Sequence, residues 1–282
     1  MSKVALVTDS TAYIPKDLLE QYAISVVPQV LVWGEKTYED GVDIMPDEFY
    51  NRLAKATVMP SSSQVSIPSF EKIFRTLSEE GHDILAILIS AKLSGTIDSA
   101  VQARAMYPQT AIEIVDSYTT AMAMGFQVLH VARAAQAGSS LAECKALAEE
   151  TRQHTGVVFA VDTLEFLHRG GRIGGASKFL ATALNIKPLL EVTGGRVEAV
   201  ERVRTRSKSL ARMVELVEER IAGRQPVHLA TLHANAIEDA RTLLDEASSR
   251  FSATESILSE VSPVVGTHAG PGTVGLAFMA GM

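Results

Sequence analysis

Four short clusters of hydroxyl, carboxamide and carboxyl side chains follow apolar stretches of this sequence. They are Asp9-Ser10-Thr11, Ser61-Ser62-Ser63-Gln64, Ser94-Gly95-Thr96 and Asp116-Ser117. At the carboxyl edge of a parallel sheet, hydroxyl groups and the free amides of helix starts together bind a carboxylate or a phosphate. Helix capping explains any one of these clusters alone. Their convergence at one edge favours an anion-binding site.

The common phosphate-binding and hydrolase motifs are missing. The segment "TDSTAYIP" contains neither GxxxxGK[ST] nor GxGxxG, which P-loop and dinucleotide-binding proteins require. The glycine-rich "GGRIGG" at 170–175 follows a helical stretch and is predicted to form a turn. Ser94 lies in A-K-L-S-G rather than GxSxG. A nucleophile-and-base pair of Ser94 and His268 therefore stays open only as an alternative.

Composition narrows the class of protein further. The formal net charge of -7 argues against a broad nucleic-acid surface, which needs clustered Lys and Arg. The single cysteine, Cys144, lies in an amphipathic helical pattern, and no metal-binding spacing is present, so we predict no bound metal. No continuous apolar run is long enough for a signal peptide or a membrane span, and we expect a cytoplasmic protein.

The order of predicted elements changes about halfway along the chain. The first part alternates apolar strands with helices, which predicts a parallel sheet covered on both faces. The second part contains a hairpin signal at Gly194-Gly195 together with further strands and helices, which predicts a mixed sheet. We therefore predict an α/β protein of two domains, a three-layer α/β/α parallel-sheet domain over residues 1–156 and a mixed-sheet domain over residues 157–282.

Six segments in a fixed order carry a family resemblance. The segment "VVGTHAGPGTVGLAF" places His268 among glycines, which allow close approach of the backbone to a ligand. The others are "VTDST" at 7–11, "PSSSQ" at 60–64, "SGTIDSA" at 94–100, "LEFLHRGGRIG" at 164–174 and "KPLL" at 187–190. From end to end, the chain resembles the DegV family.

The resemblance implies a protein that binds one long-chain fatty acid between its two domains and is not itself an enzyme. Members of the FakB type present the acid to a separate ATP-using kinase, which makes acyl phosphate for phospholipid synthesis. Carried over by position, the carboxylate contacts Ser62, Ser94, the amide of Gly95 and His268. The positions that meet the kinase match Arg172, Arg202, Arg204 and Arg206. No cofactor is implied, and transient membrane contact stays open. The alternative is a stand-alone esterase-like or phosphoryl-transfer enzyme.

Two local features qualify the resemblance. The family's usual run is closer to P-T-T-S-Q-P, whereas this chain has P-S-S-S-Q-V at 60–65. Serine retains the hydroxyl donor of threonine, so head-group binding is expected to survive. Arg202, Arg204 and Arg206 alternate along a predicted strand, which would place the three side chains on one face. That face is either a docking surface or simply solvated.

Overall fold

The computed structural model describes residues 3–182 and 186–282 of the chain. The strands are β1 (Val4–Asp9), β2 (Ser25–Val27), β3 (Val30–Trp33), β4 (Lys36–Glu39), β5 (Ser61–Ser63), β6 (Asp83–Leu88), β7 (Ile112–Asp116), β8 (Thr155–Ala160), β9 (Lys187–Thr193), β10 (Arg196–Val203), β11 (Val227–His233), β12 (Glu255–Glu260) and β13 (Val274–Ala280). The α-helices are α1 (Lys16–Gln21), α2 (Pro46–Leu53), α3 (Ile67–Glu79), α4 (Thr96–Arg104), α5 (Ala121–Gln136), α6 (Leu141–Thr151), α7 (Glu165–Arg169), α8 (Arg206–Ile221), α9 (Ile237–Phe251) and α10 (Pro263–Ala269). Two 3-10 helices span Ser10–Ala12 and Gly174–Thr182.

The predicted parallel sheet is present in the first half, with strand order β2-β1-β6-β7. Helices α3 and α4 cover one face, where Phe70 and Phe74 pack against Val7 and Ala86. Helices α5 and α6 cover the opposite face. Because both faces are buried, β6 is apolar almost throughout. The three-layer α/β/α arrangement is therefore confirmed.

The second half forms a mixed sheet of six strands in the order β10-β9-β8-β13-β11-β12. Neighbours in this sheet are antiparallel except for the parallel pair β11 and β12. Helices α8 and α9 cover one face. Gly194 and Gly195 turn β9 into β10, both with positive φ, as the hairpin signal predicted. The mixed-sheet prediction is confirmed, whereas the division at residue 156 stays a prediction.

Helix α5 connects the two sheets. It packs against β1 and β6 on one side and against β8, β11 and β13 on the other. Its residues Met122, Met124 and Phe126 are fully buried. One continuous apolar core therefore runs from the parallel sheet through α5 to the mixed sheet.

A small antiparallel sheet, β4-β3-β5, lies beside these layers and was not predicted. Ser61–Ser63 forms its edge strand β5, so this cluster does not follow a parallel strand as we expected. Pro28 separates β2 from β3, and the two strands belong to different sheets. Since proline has no amide hydrogen to donate, it suits this break between sheets.

Candidate functional site

An apolar cavity lies between the parallel-sheet half and the mixed sheet. Its walls include Ile89, Ala121, Val157, Phe159, Leu232 and Val264. These side chains come from the end of β6, the start of α5, strands β8 and β11, and α10. The lining is predominantly apolar, which suits a hydrocarbon chain.

The four residues expected to bind a carboxylate all line this cavity. They are Ser62, Ser94, Gly95 and His268. They come from β5, from the loop before α4 and from α10, which are far apart in the sequence. The fold therefore brings the predicted set together at one apolar cavity.

Ser62 and His268 are directly hydrogen-bonded. The distance between Oγ of Ser62 and Nε2 of His268 is 2.6 Å. His268 lies in the last turn of α10, a short helix that the glycine-rich sequence did not reveal. A Cβ on Gly170 would overlap Nδ1 of His268, so the glycine allows the imidazole to pack onto this backbone. Gly170 and Gly171 thus form a turn, as predicted for "GGRIGG", whereas Gly174 and Gly175 already belong to a 3-10 helix.

Ser94 is hydrogen-bonded to Thr96, which is in turn hydrogen-bonded to Gln29. Oγ of Ser94 lies 2.9 Å from Oγ1 of Thr96, and Nε2 of Gln29 donates to that Thr96 oxygen at 2.9 Å. Helix α4 begins at Thr96, and its N-cap residue, Gly95, makes no side-chain capping bond. The helix-capping explanation for Ser94 is therefore wrong, because the hydroxyl bonds to another side chain.

Gly95 has a specific steric requirement. A side chain at this position would collide with the carboxamide of Gln64, whose Oε1 occupies that space. Nε2 of Gln64 donates to Oγ of Ser99 at 2.8 Å, which fixes the carboxamide in place. Gln64 thus joins the loop that follows β5 to the start of α4.

From the other two predicted clusters Thr11 also lines the cavity, but its hydroxyl donates to Asp9. The carboxylate of Asp9 accepts from the amides of Thr11 and Ile89 and from the Thr11 hydroxyl, all inside the protein. Burial raises the pKa of Asp9. Asp116 accepts from the amides of Ala91 and Tyr118. These carboxylates shape loops, and sequence spacing alone did not separate them from the hydroxyls that line the cavity.

Burial keeps His268 neutral at physiological pH. Burial, and to a smaller extent the nearby positive charge of Arg172, lower the pKa of the imidazole to about 4. Nδ1 is buried and has no hydrogen-bond partner among the described residues. A serine hydrolase needs a base that is oriented by a third group and has a pKa close to the working pH. His268 meets neither condition, and its hydrogen bond goes to Ser62 rather than Ser94.

Arg172 is half-buried and lines the cavity. Its Nε donates to the carbonyl of Leu93 at 3.0 Å, and its Nη1 donates to that of Gly170 at 2.7 Å. Together with Ser62 and His268, it also lines a second, more polar cavity that adjoins the first. Although we expected Arg172 among the docking residues, it lies directly beside the polar end of the apolar cavity.

The expectation that Arg202, Arg204 and Arg206 share one strand face is wrong. Strand β10 ends at Val203, and Arg206 is the first residue of α8. Nε of Arg206 forms an ion pair with Asp239 at 2.7 Å. The guanidinium of Arg202 stacks over a phenylalanine ring at 5.2 Å, whereas Arg204 is exposed. The alternation was interrupted because the chain turns from strand to helix within these residues.

Within the described ranges, 3–182 and 186–282, no group of His, Cys, Asp and Glu side chains is arranged to hold a metal ion. None of the helices in the same ranges combines the length and the apolarity that a membrane crossing needs.

Sequence reasoning missed Gln29 and the helical form of α10. Gln29 is buried and reaches Thr96 across 67 positions of the sequence. The only local signal was a polar residue next to Pro28 inside an apolar stretch. For α10, Pro263 at the first turn was a usable helix-start signal that the neighbouring glycines obscured.

Comparison with known proteins agrees with this architecture. The sequence profile described as "Uncharacterised protein, DegV family" matches residues 3–281. A DegV domain-containing protein of Streptomyces coelicolor is 40% identical over 275 residues, which are 97% of each chain. Protein DegV of Bacillus subtilis is 33% identical over 277 residues, which are 98% of each chain.

Solved structures extend the similarity to three dimensions. A DegV family protein from Thermus thermophilus, described as fatty acid binding, superimposes with a TM-score of 0.94 at 34% identity and 99% coverage of both chains. DegV of Bacillus subtilis, described as a fatty acid binding protein, gives a TM-score of 0.92 at 32% identity, covering 99% of this chain and 100% of that one. With the family profile matching nearly every residue, this chain belongs to the DegV family.

Proposed function

We propose that this protein binds a long-chain fatty acid, with the acyl chain in the apolar cavity and the carboxylate at Ser62, Ser94, Gly95 and His268. The observation that carries the proposal is an apolar cavity that ends in neutral hydrogen-bond donors. Two structural relatives described as fatty acid binding, at 34% and 32% identity, support the same ligand class.

The hydrogen bonds of the two serines to His268 and Thr96 can leave both serine hydroxyl protons available to the ligand. When neutral His268 carries its proton on Nε2, that N–H donates to Ser62, and the Ser62 O–H donates to the carboxylate. Either hydroxyl can donate in the Ser94–Thr96 bond. When Thr96 accepts from Gln29 and donates to Ser94, the Ser94 O–H is also left for the ligand. A carboxylate accepts several such bonds, and bonds to a charged acceptor are stronger than bonds to a neutral one.

The acyl chain supplies most of the binding free energy in this account. Burial of each methylene contributes up to ~0.8 kcal/mol before the costs of association are subtracted. The head-group donors then determine which end of the ligand lies at Ser62 and Ser94, and they favour acids over neutral lipids. Affinity and head-group selectivity are therefore separable properties.

Native mass spectrometry tests the ligand class. Protein purified from a bacterial host should carry about one fatty acid per chain, identified after solvent extraction. A chain recovered empty that also fails to take up added palmitate or oleate would contradict the proposal. Palmityl alcohol serves as the control ligand, because it has the same tail and lacks the charge.

We further propose that the bound carboxylate is the substrate of a separate ATP-dependent kinase. The second cavity shares Ser62, Arg172 and His268 with the acyl cavity, which gives a route from the surface to the head group. In the kinase step, a carboxylate oxygen forms a bond to the γ-phosphorus of ATP while the bond to ADP breaks. The described residues contain no lysine-bearing phosphate loop, so the partner must supply the nucleotide site.

The chain alone should neither hydrolyse ATP nor phosphorylate its lipid, and acyl phosphate should form only when a kinase is added. ATP-dependent turnover by the pure chain that is abolished by Ser94→Ala would support the stand-alone phosphoryl-transfer alternative. Turnover of an ester substrate that the same variant abolishes would support the esterase alternative.

The docking role of the arginines is part of this proposal. Arg204 is exposed and Arg172 lines the second cavity, whereas Arg202 stacks over a phenylalanine ring and Arg206 pairs with Asp239. Because exposed charges mainly steer association, Arg204→Glu should lower kinase coupling in a salt-sensitive way and leave lipid binding intact. Arg206→Glu should in addition destabilise the fold by opposing Asp239. Unchanged coupling in Arg204→Glu would remove Arg204 from the docking surface.

A further inference from the structure

A buried carboxylate, Asp40, lies where the two halves of the proposed head-group site meet. It follows β4, and only 2% of its surface is exposed. Its Oδ2 accepts from Oγ of Ser10 at 2.6 Å, and its Oδ1 accepts from the amide of Val264 at 3.0 Å. These donors come from the two ends of the chain, so a single side chain connects them.

The Oδ1 branch leads to His268. Val264 lies in the first turn of α10, where backbone amides have no partner within the helix. His268 is one turn further along α10, and its Nε2 contacts Ser62 at 2.6 Å. The bond from Asp40 therefore fixes the start of the short helix whose last turn carries the imidazole.

The Oδ2 branch leads to Ser94. Ser10 accepts from the backbone amide of Gln29 at 3.1 Å, while its own proton goes to Asp40. Gln29 donates through its side chain to Thr96, and Thr96 contacts Ser94. Gln29 is further tied to Asp40 by the bond from the Asp40 amide to the Gln29 carbonyl at 2.9 Å.

We propose that Asp40 is the positioning residue of the head-group site, because it holds Ser62–His268 and Ser94–Thr96 at a fixed separation through these two branches. This inference rests on the proposed function and deepens it. A carboxylate suits the position because both its oxygens accept, whereas asparagine can accept on one side only. In Asp40→Asn, the amide oxygen can still accept from the Val264 amide, but the NH₂ group would donate to Ser10 instead of accepting from it.

The test compares the affinities of palmitic acid and palmityl alcohol in four forms of the full chain. These are the wild type, Asp40→Ala, Asp40→Asn and Ser259→Ala. Ser259→Ala is the matched control, because Ser259 is also buried and donates across the same two halves, to the Tyr13 carbonyl at 3.1 Å, without leading to the head group. Melting temperatures are recorded in parallel.

Asp40→Ala should lower the affinity for the acid about tenfold, the order of one lost hydrogen bond to a charged group, and leave the alcohol nearly unchanged. Asp40→Asn should recover part of this loss. The ¹⁵N shift of the His268 imidazole should move in Asp40→Ala and stay in place in Ser259→Ala.

A lower melting temperature with an unchanged acid-to-alcohol ratio in both Asp40 variants would make Asp40 merely structural and overturn the inference. If Asp40→Ala does not fold, the ratio in Asp40→Asn decides alone. A wild type without any preference for the acid would instead contradict the proposed function, so the two failures are distinguishable.

Discussion

Two polar clusters link the parallel-sheet half to the mixed sheet, and they differ in how completely they are satisfied. In the ion cluster, Nη2 of Arg133 donates to both oxygens of Glu255 at 2.9 and 3.1 Å, and Nδ1 of His228 contacts Oε2 at 2.9 Å. In the proposed head-group cluster, Ser62 bonds to His268 and Ser94 to Thr96, and in both bonds the serine can be the acceptor, which leaves its hydroxyl proton for a ligand. A cluster whose polar groups are all paired with one another stabilises the fold, whereas a cluster with donors to spare is suited to bind a ligand.

The largest expected effect on stability comes from the ion cluster. Glu255→Gln removes the charge opposite Arg133 and His228, and the hydrogen bonds of Glu255 hold the pKa of its carboxyl below the usual range. Loss of one partner from a buried pair costs roughly 3–5 kcal/mol. Since the two side chains are 32% and 21% exposed, we expect about 2 kcal/mol here.

Urea unfolding measures this loss, and the acid-to-alcohol affinity ratio should stay that of the wild type. Glu246→Gln is the control, because Glu246 is exposed on α9 and should change stability by less than about 0.5 kcal/mol. A changed ratio in Glu255→Gln would show that the two clusters are not separate in function.

The two clusters should also differ in the pH range over which they affect the stability of the fold. The pKa of His268 is lowered to about 4 by burial and by Arg172. Below pH ~6.5 the His268 imidazole binds a proton in the unfolded chain but not in the folded chain. The free energy of unfolding therefore decreases by about 1 kcal/mol for each unit that the pH is lowered, until pH ~4. For Glu255 the lowered pKa gives stability that is lost only as the pH falls below the ordinary glutamate range.

His268→Asn should therefore flatten the slope between pH 6.5 and 4, whereas Glu255→Gln should change it only below this window. Burial also lowers the pKa of His130 and His233, so these histidines contribute to the pH dependence of stability in every variant. The effect of His268→Asn is therefore measured as a difference from the wild-type slope. Identical slopes in the wild type and His268→Asn would mean that His268 titrates normally in the folded chain.

The two clusters also differ in how far the sequence predicts them. Ser62, Ser94, Gly95 and His268 lie in motifs, and all four line one cavity. The two larger sheets are predictable because their strands are either largely apolar or joined by a glycine turn, whereas the small sheet β4-β3-β5 was not predicted. These predictions are correct because each of these features has a signal within a few neighbouring residues of the sequence.

Features that depend on distant parts of the chain were not predictable. Asp40 and Val264 are 224 positions apart, and Arg133 and Glu255 are 122 apart. No local pattern distinguishes these residues from solvated charges. The arginines at 202–206 show the opposite error, because a period of two was extended past the end of β10 into α8. A helix start at Arg206 is set by the Thr205 cap and by packing rather than by alternation.

The smallest expected effect is that of a single hydroxyl. Ser94→Ala should weaken acid binding about tenfold, because one donor to the carboxylate is lost, and should leave the alcohol nearly unchanged. Since Ser94 caps no helix, the free energy of unfolding should change by less than about 0.5 kcal/mol. Ser140→Ala, which removes the capping box of α6, is the contrasting control and should cost about 1 kcal/mol without changing affinity.

In Ser94→Ala, a loss of stability like that of Ser140→Ala, with the acid preference intact, would return Ser94 to a structural role. Combining Ser94→Ala with Ser62→Ala should be non-additive, because both hydroxyls contact one head group.

The location of the carboxylate is best read from the ligand itself. Palmitate labelled with ¹³C at the carboxyl carbon is added to the delipidated wild type and to Ser62→Ala, Ser94→Ala and Ser259→Ala. We expect one bound carboxyl resonance, distinct from that of free palmitate, which moves in Ser62→Ala and in Ser94→Ala and keeps its position in Ser259→Ala. A bound resonance at the same position in all four proteins would contradict a carboxylate held between the two serines.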